Sequence, residues 1–313
     1  MFDSPLEDSA YVIIGEEPGA DEQALRRAYR QRLREAHPDT GGDVVAFRRV
    51  QRAWELIGTA ASRAAYDRVH GESLSGESNL ADSPDAPRWR PPAAPTDSRP
   101  RARSYGHPGG LRREQYLELI REWAGRGSDL ADPYRPALVR SAPSEVRHLL
   151  ADALAEEATA RIVSGLGIGY TVWHDVAVAD RGDPRAKLDH IVLGPSGLYG
   201  VASEDFGGPA SVRRRELRGD GVIGTPIGTL LHGMRSVART ARVRFSGAIV
   251  VLPDDDVAMP IAELGTIRGK AAAISSRSTL ADVLRRGITG ARPVGGQELF
   301  DIRTRLQHTV RFV

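Results

Sequence analysis

One long segment of the chain cannot supply a hydrophobic core, and it divides the sequence in two. Residues 71–110 are rich in Ser, Pro, Asp, Gly and Arg, with Arg90-Pro91-Pro92 and Pro95 among them. A segment with so little apolar surface does not offset the entropy lost on ordering. The pattern therefore predicts a disordered linker over residues 71–110, one folded domain before it (residues 1–70) and a second after it (residues 111–313).

Composition excludes several functional classes. The 313 residues include no cysteine, which rules out a disulfide framework, a thiolate zinc site, an iron–sulfur cluster and a cysteine nucleophile. The formal net charge of +2 does not indicate nucleic-acid binding by the whole surface. The first ten residues carry acids and no basic n-region, and no apolar run is long enough to span a bilayer. We expect a cytoplasmic protein with no membrane contact.

The first domain has the pattern of a helical hairpin. Leu25 and Leu33 mark one face of a helix over residues 21–35, and Pro38 prevents its continuation. Phe47 and Trp54 lie on one face of a second helix. The opposite face of the first helix carries four arginines: Arg26, Arg27, Arg30 and Arg34. His37-Pro38-Asp39 is thereby predicted at the tip of the hairpin, beside these arginines.

This region resembles a DnaJ-type J-domain over residues ~9–70. The resemblance rests on His37-Pro38-Asp39, on Tyr29-Arg30 before it, on Ser62-Arg63-Ala64-Ala65-Tyr66-Asp67 after it and on Tyr11-Val12-Ile13-Ile14-Gly15 at the start. It implies a co-chaperone whose arginine face and His37, Pro38 and Asp39 dock on a DnaK-type ATPase and stimulate its ATP hydrolysis. The family's Gly/Phe-rich segment and cysteine zinc region are absent from the sequence, so we expect residues 111–313 to determine the client or the location.

The second domain alternates helical and strand patterns, which predicts a mixed α/β sheet flanked by helices. Residues 111–142 read as a helical extension, followed by a helix from near Pro143 to Gly165. The remaining elements are strands over 170–178, 187–193, 198–202 and 247–252 and helices over 227–241, from 278 and over 297–308. The glycines at 165, 167 and 169 indicate a helix end rather than a phosphate loop, since no Gly-Lys-Ser/Thr follows.

Residues 188–201, Leu-Asp-His-Ile-Val-Leu-Gly-Pro-Ser-Gly-Leu-Tyr-Gly-Val, resemble the nuclease-related domain, which has a restriction-endonuclease-like fold. That resemblance implies a site made of an Asp and an acid-x-Lys on the next strand, with Mg²⁺ held by the acids. Here Asp189 is retained, but Ala202 stands at the position of the acid and Glu204 at that of the lysine. We therefore expect an inactive pseudo-nuclease, without metal or other cofactor, that binds a client protein or nucleic acid.

The alternative is a metal-dependent nuclease with a relocated lysine. Lys187 lies two residues before Asp189 and so on the same face of a strand, and Glu204, Asp205 or Glu157 would replace the missing acid. In the favoured interpretation Lys187 is instead an exposed charge at the edge of the sheet.

Two further features are interpreted from their residue types. Arg213, Arg214 and Arg215 are candidates for contacts with phosphate. His174 and His190 have no metal-ligand spacing and are interpreted as structural.

Overall fold

The computed structural model describes residues 4–70, 100–125, 130, 132–178, 185–219 and 221–313. Two domains are present: a helical domain (residues 4–70) and a sheet domain (residues 100–313, with the gaps just given). Most of the predicted linker lies outside the described residues. None of the helices in the described ranges is both long and apolar enough to cross a membrane.

The helical domain contains four helices and one 3₁₀ turn. They are α1 (Ala10–Ile14), α2 (Glu22–Glu35), the turn Pro38–Thr40, α3 (Val44–Ile57) and α4 (Ala60–His70). Asp21 caps α2 and Asp43 caps α3, each accepting hydrogen bonds from free amides of the first turn. Tyr29 of α2 stacks on Trp54 of α3 with ring centroids 4.4 Å apart, which confirms the predicted hairpin. Residues from all four helices, including Ile14, Leu25, Ile57 and Tyr66, share one apolar core.

The sheet domain is built on a seven-stranded mixed sheet. Its strands are β1 (Arg103–Tyr105), β2 (Thr171–Ala177), β3 (Lys187–Gly194), β4 (Gly197–Ser203), β7 (Gly247–Leu252), β8 (Ile261–Ile267) and β9 (Lys270–Ser276), and β5 (Ser211–Arg213) and β6 (Glu216–Arg218) form a separate hairpin. The strand order in the large sheet is β1-β2-β3-β4-β7-β9-β8. The β4–β7, β7–β9 and β1–β2 pairs are parallel and the other pairs of the large sheet are antiparallel.

Helices cover both faces of this sheet. They are α5 (Gly110–Ala124), α6 (Pro136–Ser141), α7 (Ser144–Ser164), α8 (Pro226–Ala241), α9 (Leu280–Arg286) and α10 (Gly296–Thr309). Val163 of α7 and Leu284 of α9 belong to the apolar core on one face. Leu230 of α8 and Leu306 of α10 belong to the larger core on the other face. This arrangement confirms a mixed α/β domain.

One boundary and the set of strands differ from the sequence prediction. The predicted linker extends to residue 110, but the sheet domain begins earlier, because Arg103–Tyr105 pairs with Thr171–Trp173 as the edge strand β1 and Ala102 is buried. The predicted strand set also lacks β8 and β9. The interior of β9 is Ala271-Ala272-Ala273, which has little β-propensity and is stabilised as a strand by burial between its neighbours.

The helical domain contacts the sheet domain through its N-terminal segment and α3, and α4 lies against α6. Arg52 of α3 forms an ion pair with Asp255, and Arg49 Nη2 donates to the carbonyl oxygen of Gly207 at 3.4 Å. Ser4 Oγ donates to Asp205 Oδ1 at 2.8 Å. The four arginines predicted on α2 take no part in these contacts and remain exposed.

Candidate functional sites

The tip of the helical hairpin is a short loop held by hydrogen bonds of its backbone amides. His37 precedes the 3₁₀ turn, and its Nδ1 accepts a hydrogen bond from the Asp39 amide at 3.2 Å. Gly41 has a φ of 87° and donates to the carbonyl oxygen of Pro38, while the Gly42 amide donates to that of His37. A Cβ on Gly42 would lie 2.3 Å from the backbone of Ala36, so only glycine fits there. The sequence His-Pro-Asp-Thr-Gly-Gly thus specifies a single loop conformation.

This loop presents Asp39 to solvent beside a cationic helix face. The side chain of Asp39 is 88% exposed, and the edge of the His37 ring packs on Phe47 of α3 with centroids 5.1 Å apart. All four predicted arginines of α2 are exposed: Arg26, Arg27, Arg30 and Arg34. Glu22 partly neutralises this face through an ion pair with Arg26. Chemically, the arrangement exposes one carboxylate, which can accept hydrogen bonds from a cation, and several guanidinium groups, which attract acidic groups.

A second candidate site is a buried cluster in the sheet domain around Lys187. Lys187 Nζ lies 2.5 Å from Glu156 Oε2 of α7, 2.5 Å from Asp175 Oδ1 of β2 and 3.3 Å from Asp189 Oδ1 of β3. The Lys187 side chain is only 2% exposed. The interpretation of Lys187 as an exposed edge charge is therefore wrong. The carboxylates that β2, β3 and α7 bring together hold the ammonium inside the domain.

The predicted partners of Asp189 are only partly correct. Glu157 points away from Lys187 and binds the guanidinium of Arg113, with Arg113 Nε 2.9 Å from its Oε1. Glu156, one residue earlier and hence about 100° around the helix, takes its place. Ala202 belongs to the apolar core on the other face of the sheet, so Ser203 is the residue whose amide meets Asp189 Oδ2, at 2.9 Å.

Burial and mutual repulsion determine the charges of this cluster. Burial alone would lower the pKa of Lys187, but the carboxylates of Asp189, Glu156 and Asp175 raise it above its ordinary value. Burial, reinforced by Asp189, raises the pKa of Glu156 well above its usual range. Burial also raises the pKa of the half-buried Glu204 to about 8, with Asp189 and Asp152 adding to the shift. Lys187 therefore keeps its positive charge, and Glu156 and Glu204 hold their protons more tightly than ordinary carboxyl groups.

Two histidines lie next to the cluster in a continuous hydrogen-bonded chain. His174 Nδ1 and His190 Nδ1 are 2.7 Å apart, and His190 Nε2 lies 3.0 Å from Ser203 Oγ. Ser203 Oγ donates to Thr159 Oγ1, so His190 Nε2 is the donor to Ser203 and His174 supplies the proton between the two rings. Burial lowers the pKa of both rings, that of His174 to about 4. Both histidines are thus neutral hydrogen-bonding groups at neutral pH.

The sequence contains a pattern of polar residues on α7 that indicates Glu156 and that the apolar periodicity does not reveal. Asp152, Glu156 and Thr159 recur at helical spacing on α7, on the side that faces the sheet. Polar residues on a buried helix face need partners, so this stripe indicates a polar site. Asp175 has no such signal: its φ of 50° breaks the strand alternation and turns its carboxylate to Lys187 beside His174.

The predicted arginine run forms the tip of the β5–β6 hairpin. Arg213, Arg214 and Arg215 are exposed, and Arg214 and Arg215 have φ angles of 51° and 65°. Two-residue turns with both residues at positive φ usually contain Asn or Gly, because other side chains are strained there. Arg213 and Arg214 line a cavity of about 1070 Å³ that Arg49 of the helical domain also lines.

Comparison with known proteins assigns the helical domain. Residues 9–67 match the family model described as DnaJ domain. The chain is 40% identical over 62 residues to a "Curved DNA-binding protein" of Pseudomonas putida, covering 19% of this chain and 20% of that protein. It is 41% identical over 71 residues to a "Chaperone protein DnaJ" of Hyphomonas neptunium, covering 21% and 18%. A "Chaperone protein DnaJ" of Trichormus variabilis is 36% identical over 69 residues, covering 21% and 18%.

These matches are confined to one part of the chain. The chain spans about a fifth of the length of the curated relatives it matches. No solved structure matches the chain. The nuclease-related resemblance of the sheet domain is supported by no family match. The loop geometry, the exposed arginine face and the family match agree that the chain carries a DnaJ domain at residues 9–67.

Proposed function

We propose that this chain is a co-chaperone that stimulates ATP hydrolysis by a DnaK-type chaperone. We further propose that its sheet domain recognises a client or a nucleic acid and catalyses no reaction. The observation that carries the first proposal is the 88% exposed carboxylate of Asp39, on a hydrogen-bonded loop beside the arginines of α2. The match to the DnaJ domain supports the same conclusion.

The way the two domains contact each other is compatible with this function. The sheet domain is held by Arg49 and Arg52 of α3 and by the segment around Ser4. The α2 arginines and the Asp39 loop are exposed. A chaperone can therefore approach the helical domain without displacing the sheet domain. The guanidinium groups would steer an acidic partner surface into contact, and Asp39 would accept hydrogen bonds from a cationic group of that partner.

The test is single-turnover ATP hydrolysis by a DnaK-type chaperone with increasing amounts of the full chain. A saturable increase over the basal rate supports the proposal. A rate that stays at the basal value at all concentrations and at low salt contradicts it.

Charge reversal on α2 should weaken this stimulation through affinity. In the variant Arg27→Glu/Arg30→Glu, the helix face repels an acidic partner, and we expect the half-maximal concentration to rise at least about tenfold, equivalent to about 1.4 kcal/mol. The maximal rate should change less, because Asp39 is intact. The matched control Arg235→Glu/Arg239→Glu reverses two exposed charges on α8 and should leave the half-maximal concentration unchanged. Equal effects of the two pairs would contradict a docking role for α2.

For the sheet domain, the observation that favours nucleic-acid recognition is the arginine hairpin. Arginines occupy both left-handed positions of its turn despite the strain. Four of the similar proteins are named as DNA-binding, but each match covers only about a fifth of that protein, so the name adds little here.

Removing these arginines should reduce phosphate binding. We expect Arg213→Ala/Arg214→Gly to weaken binding of a labelled single-stranded oligonucleotide and to lower the slope of log K against log salt by about 1–2, since each phosphate contact contributes about 0.7. Fluorescence anisotropy at several salt concentrations measures both quantities. If the unaltered chain binds the oligonucleotide and the double substitution does not weaken this binding, the nucleic acid contacts another part of the chain. If the unaltered chain does not bind, the nucleic-acid proposal is contradicted.

The alternative of a metal-dependent nuclease with Lys187 as its relocated lysine requires Mg²⁺ at Asp189. Mg²⁺ needs near-octahedral oxygen ligands at about 2.0–2.1 Å. The oxygens that would provide them surround the ammonium of Lys187 instead. In the described part of the chain no group of three or more His, Asp or Glu side chains is placed to hold a metal ion. The residues present do not fit the metal, and we derive no hydrolytic step from them.

A further inference from the structure

Lys187 occupies the point at which three elements of the sheet domain bring their carboxylates together. Glu156 comes from α7, Asp175 from β2 and Asp189 from β3, and each places an oxygen within 3.3 Å of Nζ. The first two side chains are at most 2% exposed, and Asp189 is 18% exposed. Several carboxylates around one buried centre are an arrangement that needs a cation, because uncompensated buried charge is strongly unfavourable.

Backbone amides complete the surroundings of these carboxylates. Glu156 Oε2 also accepts from the Gly109 amide at 3.0 Å, and Asp175 Oδ2 accepts from the Leu111 amide at 3.4 Å. The second oxygen of Asp189 accepts from the Ser203 amide at 2.9 Å. The carboxylate oxygens that face inwards contact the Lys187 ammonium, and others accept hydrogen bonds from backbone N–H groups. This environment satisfies the carboxylates without an external ion.

The geometry of the cluster favours lysine over arginine at this position. The chain has two lysines among 43 basic residues, so a generic positive charge in this protein is an arginine. An ammonium is a compact point charge with three donors, whereas a guanidinium is a planar fork suited to one or two carboxylates in its plane. Three carboxylates around one point therefore fit lysine. Asp175 completes the set with a left-handed φ of 50°, a conformation that Asp tolerates better than most residues other than glycine.

We propose that the ammonium of Lys187 is a built-in replacement for a divalent cation: it fills the carboxylate cluster of Glu156, Asp175 and Asp189 and keeps metal ions out. This inference rests on the proposal that the sheet domain is not a catalyst, and it supplies the reason. The cluster then functions as a fixed internal ion pair network that ties α7 to β2 and β3.

As they are placed around the ammonium, these carboxylates form no group that could hold a metal ion, and removing the ammonium should allow them to close around a divalent cation. We expect the melting temperature of the unaltered full chain to be insensitive to Mn²⁺ added at millimolar concentration. In Lys187→Ala, Mn²⁺ should raise it by roughly 5–10 °C at a concentration one hundredfold above the dissociation constant. Electron paramagnetic resonance of Mn²⁺ should show bound metal in Lys187→Ala. The additional change Asp189→Asn should abolish both effects.

The matched control is Lys270→Ala, which removes the chain's other lysine from a site where it donates to the carbonyl oxygen of Phe245. It should gain no response to Mn²⁺. A folded Lys187→Ala that takes up no Mn²⁺ would overturn the proposal. If Lys187→Ala does not fold even with Mn²⁺ present, the test is made on the unaltered chain. If the unaltered chain binds Mn²⁺ and Asp189→Asn abolishes this binding, the proposal is refuted. If the unaltered chain binds no Mn²⁺, the proposal is supported.

The ATPase assay separates this inference from the co-chaperone proposal. The folded Lys187→Ala variant should stimulate a DnaK-type chaperone as the unaltered chain does, because Lys187 lies in the sheet domain. A failed metal test with retained stimulation leaves the co-chaperone proposal standing. Conversely, a chain that does not stimulate the chaperone can still gain Mn²⁺ binding upon loss of Lys187.

Discussion

We expect Asp39→Asn to abolish stimulation of a DnaK-type ATPase while leaving the helical domain folded. The carboxylate is 88% exposed, and the loop conformation depends on the Asp39 amide and on Gly41 and Gly42, none of which changes. The variant therefore loses the negative charge and retains the shape. A hydrogen bond to a charged group contributes about 1.5–3 kcal/mol, which corresponds to a loss of about 10- to 100-fold in the productive complex.

Single-turnover ATP hydrolysis and thermal unfolding of the same preparations measure the two halves of this prediction. The control Glu17→Gln makes the same acid-to-amide change at an exposed position between α1 and α2 and should stimulate normally. Stimulation by Asp39→Asn equal to that of the unaltered chain would contradict the role given to the loop. A melting temperature lowered by more than a few degrees would instead assign Asp39 to the stability of the helical domain.

The parts of the fold with strong local patterns could be predicted from the sequence. The apolar spacing of Leu25 and Leu33 identifies α2, because it fits one face of a helix. The apolar run Gly247–Leu252 has no periodicity, and its short length and β-branched residues identify β7. Strand β9 could not be found in this way. Its alanines become a strand because β7 and β8 pair with it, which is a property of the assembled sheet.

The same distinction applies to the candidate sites. The Asp39 loop is specified locally by a proline and two glycines, so its motif predicts both its position and its exposure. The Lys187 cluster joins residues from three separate elements. Lys187 and Asp189 could be paired from their spacing on one strand, but the choice of Glu156 over Glu157 depends on how α7 is rotated against the sheet. The part played by Asp175 depends on a backbone distortion that no sequence pattern records.

The carboxylates around this cluster should make stability depend on pH, and Glu204 should show it most clearly. Burial, together with Asp189 and Asp152, raises the pKa of Glu204 from 4.5 to about 8. The unfolded chain therefore loses this proton near pH 4.5, whereas the folded chain keeps it until about pH 8. The contribution of Glu204 to the free energy of unfolding is fully present below pH 4.5 and falls as the pH rises to 8. The full shift corresponds to about 5 kcal/mol, which partial contact with water reduces to about 2–4 kcal/mol.

We therefore expect Glu204→Gln to be more stable than the unaltered chain by about 2–4 kcal/mol at pH 9 and about equally stable at pH 4, because glutamine does not ionise. Urea unfolding of both proteins across this range measures the difference. Taking the difference cancels the opposite contribution of His174, whose lowered pKa reduces stability as the pH falls below 6.5. The control Glu118→Gln, at an exposed position on α5, should give a difference near zero at every pH. A Glu204→Gln difference that does not change with pH would mean that Glu204 is already ionised in the folded chain, and the carboxylates near Asp189 would then carry more negative charge than Lys187 compensates.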